Sequence, residues 1–218
     1  MLKQNLKAQI FHTFLFAGFT ARTEKPTYPD SYGIFYNNTI ACNYLHTKIY
    51  SDTLHIVVVM KIIDASEPEF GGPMTEDEVR NFLINSKKNI HISTLDEKGE
   101  PNIHPTWYYF DNNNDKIYIE SGKESRKTKN LRRNNLIYYC IDDDTIPYKG
   151  VRGKGVVRIL EDINQNVPII EKIVIKYLGS IEHHMSQALV SSIRKGDAII
   201  LEVTPKFYAT WDHGKRKR

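Results

Sequence analysis

The chain has 218 residues, 40% of them hydrophobic and 26% charged, which is ordinary globular usage and excludes a wholly disordered chain. Thirty Lys+Arg against 26 Asp+Glu give a net charge of +4, a first hint of an anionic partner. No apolar run approaches the roughly 18–20 residues that span a bilayer, and two cysteines, Cys42 and Cys140, make neither a disulfide framework nor a zinc site.

Residues 1–59 differ in character from the rest. Phe11 to Phe19 is a short apolar stretch behind Lys3 and Lys7, and Pro26, Pro29 and Gly33 interrupt an Asn/Tyr/Thr-rich run without helix or strand period. The segment reads as a poorly structured extension or as sequence ahead of a true start at Met60. The folded domain is expected over residues 60–214, with residues 215–218 a solvated basic tail. The charge divides accordingly. Residues 1–59 hold five basic and three acidic residues, and 215–218 hold four basic ones. The domain between is therefore slightly acidic, and a nucleic-acid partner is not expected.

From Met74 the local signals agree with one another. Thr75 and Glu78 form a capping box, and Val79, Phe82 and Leu83 lie on one helical face. Ile90 and Ile92 alternate as in a half-buried strand. Asp96 to Gly99 is a hairpin turn. A strand over Asn102–Phe110 carries Pro105 and so belongs at an edge or a bulge. Asp111 to Asp115 is a second turn, and Ile117 and Ile119 mark a third strand. Ser125 caps a basic helix over Arg126–Arg133. Strands follow over Leu136–Ile141 and Val151–Leu160. A helix is marked by Val167, Ile170, Val174, Tyr177 and Leu178, with Pro168 placed near its first turn. Met185, Leu189 and Ile193 mark another helix, before strands Ala198–Val203 and Phe207–Trp211. This order predicts a mainly β fold with peripheral helices, a small antiparallel barrel. No glycine-rich dinucleotide motif or phosphate loop occurs.

The most informative stretch is Tyr118 to Leu131. A strand ends, a glycine turn follows, and Ser125 opens a helix whose first turn holds Arg126 and Lys127. Free amides at a helix start attract anions, and a hydroxyl with two cations suits a phosphate. Cations in the first turn oppose the helix dipole, a conflict an anion would offset. A solvated basic face accounts for the same residues. Elsewhere, His183-His184 read as surface residues, Asp142 to Asp144 as a turn and Cys140 as core; no metal site is expected.

Five stretches in order resemble the pyridoxamine 5'-phosphate oxidase-related family of FMN-binding split β-barrels: Ser93 to Pro101, His104 to Phe110, Ser125 to Asn134, Gly150 to Gly155 and Pro205 to Asp212. The resemblance implies a homodimer, with flavin at the subunit interface and hydride transfer to or from a small organic substrate; the sparse cysteines make a reduced, cytoplasmic setting the expectation. It implies that His104, Pro105, Thr106 and Trp107 run along the flavin ring, that Ser121 lies near the ribityl chain, and that Ser125, Arg126 and Lys127 hold the phosphate. It further implies that Arg152 or Lys154, together with Trp211, approaches the ring or its tail from the partner subunit. It names no catalytic side chain.

Two departures argue against the vitamin B6 reaction itself. Tyr109 stands where those oxidases carry a second phosphate-binding lysine, and no Arg-x-His substrate motif occurs. The deazaflavin F420 is the alternative cofactor, since its polyglutamyl tail suits the basic helix. A flavin-binding protein without turnover is a further alternative.

Overall fold

The computed structural model describes residues 60–67 and 69–215, together with the backbone of two short paired strands, β1 (Thr47–Lys48) and β2 (Val57–Val58). The expectations for residues 1–59 otherwise lie outside the described residues.

After β3 (Ile62–Asp64) comes helix α1 (Glu76–Asn85). Both halves of its capping box are made: Glu78 N–H donates to Thr75 Oγ1 at 3.3 Å, and Thr75 N–H donates to Glu78 Oε2 at 2.6 Å. Strands β4 (Ile90–Leu95) and β5 (Pro101–Thr106) form the expected hairpin, with Gly99 at φ +80° in its turn. The predicted strand Asn102–Phe110 is two strands, β5 and β6 (Tyr109–Asp111). The break at Trp107–Tyr108 has a physical cause: Tyr108 N–H donates to the Tyr177 hydroxyl, 3.3 Å away, instead of to a neighbouring strand.

Next come β7 (Lys116–Gly122), α2 (Arg126–Arg133), β8 (Leu136–Asp143) and β9 (Lys149–Leu160). Strand β8 is longer than the alternation suggested, so Asp142 and Asp143 are in a strand and not in a turn. Helix α3 spans Ile163–Leu178, which places Pro168 in its interior and corrects the expected start. Its first turn is polar, and the apolar period does not reach it. Asp162 caps it by accepting from Asn164 N–H at 2.8 Å, and buried Asn166 donates to Leu160 O at 2.8 Å. Helix α4 (His184–Lys195) starts from His183 as its cap, and β10 (Ala198–Pro205) and β11 (Tyr208–Asp212) end the fold.

The main sheet runs β5-β4-β8-β9-β10-β7-β6, and every neighbouring pair along it is antiparallel. Strand β11 pairs antiparallel with β9 and parallel with β3. Strands β5 and β6 lie at opposite edges, yet only Trp107 and Tyr108 join them. The edges must therefore adjoin, and the sheet curls into a barrel with one unbonded seam: a split β-barrel with four helices among the described residues. As Pro105 requires, β5 is an edge strand. Proline donates nothing to a ladder, and β5 has a neighbour only on one side.

Strand β10 separates two apolar layers. Ile199, Leu201 and Val203 point into the barrel with Ile117, Ile119 and Ile92. Ile200 faces the other way, onto Ile170, Ile173 and Val174 of α3 and Ile193 of α4. Each fully buried Ile or Leu contributes roughly 1.5–3 kcal/mol relative to exposure. Helix α2 packs against β4 and β7 and drives Leu131 into the barrel layer. It thus bridges strands near both edges of the seam, and its N-terminus is seated there.

Of the basic tail only Lys215 lies among the described residues. It forms an ion pair with Glu78 and donates to Pro73 O at 2.7 Å, which ties this residue to the start of α1. Cys140 is half-buried on the outer side of β8, opposite the buried Tyr139 and Ile141. Among the described residues no helix is long and apolar enough to cross a membrane.

Candidate functional site

The start of α2 is braced from below. Ser121, fully buried at the end of β7, reaches the Ser125 hydroxyl at 2.9 Å and the Thr128 hydroxyl at 2.8 Å. Thr128 donates to Gly122 O at 2.9 Å, and its N–H donates to the Ser125 cap at 3.4 Å. Ser121 therefore seats the helix start, with its hydroxyl committed to α2. The cap satisfies the third amide of the helix and leaves those of Arg126 and Lys127 without a partner inside it.

The basic residues of α2 then fall into two groups. Lys129 pairs with Glu124, Arg132 with Glu124 and Glu161, and Arg133 with Glu97. Arg126 and Lys127 have no ion-pair partner among the described residues. The solvated-face reading fits the first group. The second keeps two uncompensated cations beside two free amides, where the helix dipole already disfavours positive charge.

Lys127 acts on two groups across the seam. His104, on β5, is half-buried; burial, then the nearby Lys127 and Arg126, hold its imidazole below the usual histidine range. Glu120, on β7, is held above the usual carboxylate range by burial, with Lys127 pulling the other way. The sheet register puts His104 beside Ile92 and Thr106 beside Ile90, on the inward side of β5. Thr106, Trp107 and Glu120 line a cleft of about 320 Å³ with Pro105, Ile170 of α3 and Leu189 of α4. Trp107 is held by stacking on Tyr177, with ring centroids 4.8 Å apart and planes 7° from parallel.

Of the residues singled out from sequence, His104, Pro105, Thr106, Trp107, Ser121, Ser125, Arg126 and Lys127 gather at this seam. Lys154 and Trp211 do not. Lys154 lies on the outer face of β9, its Nζ 5.7 Å from the Tyr138 ring. Trp211 lies over Gly150 of the same strand, where a side chain on the glycine would come within 2.2 Å of the indole.

Tyr108 is fully buried and packs, as expected. Tyr109 is stacked on Tyr118 and lies under Lys172, whose Nζ is 5.0 Å from the ring centroid. Glu120 and Tyr177 were not found by sequence reading. One is a lone acid after an alternating strand, and the other sits on an apolar helical stripe, where packing is the default expectation. Among the described residues no group of three or more His, Cys, Asp or Glu could hold a metal ion. His183 and His184 stack on each other at 4.4 Å, and His183 Nδ1 accepts from Met185 N–H as the cap of α4.

The profile of pyridoxamine 5'-phosphate oxidase matches residues 75–212. The chain belongs to the pyridoxamine 5'-phosphate oxidase family. Solved structures share the split barrel of this family. A conserved hypothetical protein from Mycobacterium tuberculosis is 23% identical, over 68% of this chain and 89% of its own, with TM-score 0.57. The haem storage protein HutZ from Vibrio cholerae is 15% identical, over 65% and 96%, with TM-score 0.50. An F420 reductase is 20% identical, over 58% and 93%, with TM-score 0.48. A search of curated proteins gave no match. For the first two structures the likeness at these identities is one of fold. Within the family, the seam with its unpaired cations is the part of this chain suited to a phosphorylated ligand.

Proposed function

We propose that this member of the family binds FMN at the seam and serves as an oxidoreductase for a small organic substrate. One observation carries the reading: among the described residues Arg126 and Lys127 are uncompensated beside two free helix amides, while the other three cations of α2 are paired. The Ser125 cap, these two side chains and their amides would hold the phosphate. Pro105 to Trp107 and Glu120, which line the cleft, would border the ring, and His104 lies beside Arg126 and Lys127 at the phosphate end. When bound, the flavin supplies hydride transfer, and no side chain is required as acid or base for that transfer. The chain contributes phosphate anchoring, a rigid aromatic wall at Trp107 and an apolar floor at Ile170 and Leu189.

The same observation ranks F420 second. A polyglutamyl tail would need the outer cations of α2, and Lys129, Arg132 and Arg133 are already engaged by Glu124, Glu161 and Glu97.

A homodimer is part of the proposal. Ile103 and Tyr138, 70% and 58% exposed, lie in one row across β5, β4 and β8, and Lys154 continues that row on β9. A second copy would cover this row and bring its Lys154 and Trp211 towards the first copy's seam.

The test is cofactor identification. Protein made in a host containing both FMN and F420 is denatured, and the released small molecules are read by mass spectrometry. FMN is expected at up to one per chain. F420 instead would favour the second ranking, and neither cofactor, even after incubation with both, would overturn the reading.

A further inference from the structure

A chain of hydrogen bonds runs from the protein surface to His104. Arg133 donates to Asn130 Oδ1 at 2.9 Å. A guanidinium only donates, so this contact fixes which end of the Asn130 amide is oxygen. Asn130 Nδ2 then donates to Thr94 Oγ1 at 2.9 Å. Thr94 Oγ1 in turn lies 3.1 Å from His104 Nε2.

The direction of that last contact can be worked out. Thr94 and Asn130 are buried, 0% and 1% exposed. If His104 Nε2 carried the proton, Thr94 Oγ1 would accept twice, and its own hydrogen would face no acceptor inside the protein. A buried donor left unsatisfied costs about 1–3 kcal/mol. With Nε2 unprotonated, Thr94 accepts from Asn130 and donates to His104, and the buried hydroxyl is satisfied as both donor and acceptor. The imidazole proton is then on Nδ1, which has no protein partner among the described residues. Burial, then the nearby Lys127 and Arg126, lower the pKa of the ring, which works in the same direction by disfavouring a proton on both nitrogens.

We propose that Arg133, Asn130 and Thr94 act as positioning residues that lock His104 as the neutral Nδ1–H tautomer, giving the seam one fixed donor for an oxygen of the anion held by Arg126 and Lys127. The tautomer stands on the hydrogen bonds alone. Its use by an anion rests on the reading of the α2 start as a phosphate site. A neutral donor has a specific value here. It adds a directed hydrogen bond without a third positive charge beside two cations that have no ion-pair partner among the described residues.

The experiment uses full-length protein with 15N-labelled histidine, and His104→Gln identifies the His104 signals. The wild type should show a protonated Nδ1 and an unprotonated Nε2, in the absence of any ligand. Thr94→Ser should keep that pattern. Thr94→Val removes the donor to Nε2 and should move the proton to Nε2 in a large share of molecules. Inorganic phosphate is then titrated. The Nδ1 resonance of the wild type should shift on saturation, and Thr94→Val should bind phosphate about tenfold more weakly, a loss of about 1.4 kcal/mol. A wild-type ring protonated on Nε2 would overturn the lock, whatever the ligand. A ring protonated on Nδ1 that ignores phosphate, while Lys127→Ala still weakens phosphate binding, would overturn the use of His104 by the anion. No phosphate binding at all would overturn the anion site beneath it.

Discussion

Trp107 stands face to face with Tyr177, and the tyrosine is itself fixed at its far end. Its hydroxyl donates to Lys88 O at 3.0 Å and accepts from Tyr108 N–H at 3.3 Å. One side chain from α3 thus interrupts the strand, anchors the break and sets the wall of the cleft. Two substitutions separate these roles. Tyr177→Phe should keep the stack and leave Tyr108 N–H unsatisfied, lowering stability by about 1–3 kcal/mol with little change in ligand affinity. Tyr177→Ala should also free Trp107, destabilise by about 3–5 kcal/mol and blue- or red-shift the indole emission. Denaturant unfolding and fluorescence on both variants read the difference. Equal stability of the two would show that the ring contributes nothing.

Lys127 is the cation with the most to lose. It interacts electrostatically with His104 on one edge of the seam and Glu120 on the other, yet it has no ion pair among the described residues. Lys127→Ala should weaken FMN binding by about ten- to a hundredfold, as for loss of one charge-assisted hydrogen bond of roughly 1.5–3 kcal/mol. The same substitution at Lys129, already paired with Glu124, should change affinity less than threefold. Fluorescence quenching of added FMN measures both. Equal losses at the two positions would mean that α2 attracts the ligand only as a diffuse positive face.

The barrel itself was legible in the sequence, and the reasons are local. Thr75 and Glu78 announce a helix through their own hydrogen bonds, and Pro105 announces an edge because it cannot donate. Ser125 with Arg126 and Lys127 stood out because cations at a helix start contradict the dipole. What stayed hidden depends on partners distant in sequence. The break at Trp107–Tyr108 is made by Tyr177, about seventy residues on, and no pattern within Asn102–Phe110 encodes it. Ser121 could be placed at the site but not assigned its work, because its contacts to Ser125 and Thr128 exist only once β7 has met α2. The early start of α3 was missed because its first turn is held by the polar contacts of Asp162 and Asn166 and carries no apolar period.

Gly150 is required by Trp211. The two are paired across β9 and β11, and the indole occupies the space that a side chain at 150 would take, within 2.2 Å of where it would begin. Gly150→Ala should therefore push the indole aside, costing about 1–3 kcal/mol of overpacking. If Trp211 reaches the seam of a second copy, as proposed, flavin affinity should fall in the same variant. Trp211→Phe should relieve part of the strain when combined with Gly150→Ala, the remainder coming from Ile141 O, 2.9 Å from where the side chain would begin. A double variant no more stable than Gly150→Ala alone would show that the indole is not what excludes the methyl.

Glu120 gives the protein a pH signature whose sign can be worked out. Burial raises its folded-state pKa above the ordinary value of 4.5, against the pull of Lys127. The folded state therefore holds this proton more tightly than the unfolded chain does. Its favourable contribution is fully present below pH 4.5 and is lost as pH rises through the raised pKa, where a charge must be kept in the cleft. Glu120→Gln keeps the shape and removes the charge. The variant should melt at nearly the wild-type temperature at pH 4 and above it at pH 8, and the gap should open between those values. Adding Lys127→Ala should widen the wild-type penalty, because the nearest cation is gone, and so enlarge the gain from Glu120→Gln at pH 8. Melting curves of the four proteins across this range test both steps. A gap that is constant with pH would show that the Glu120 carboxylate is solvated in the folded protein. A gap that closes as pH rises would show that it has a stabilising cationic partner there.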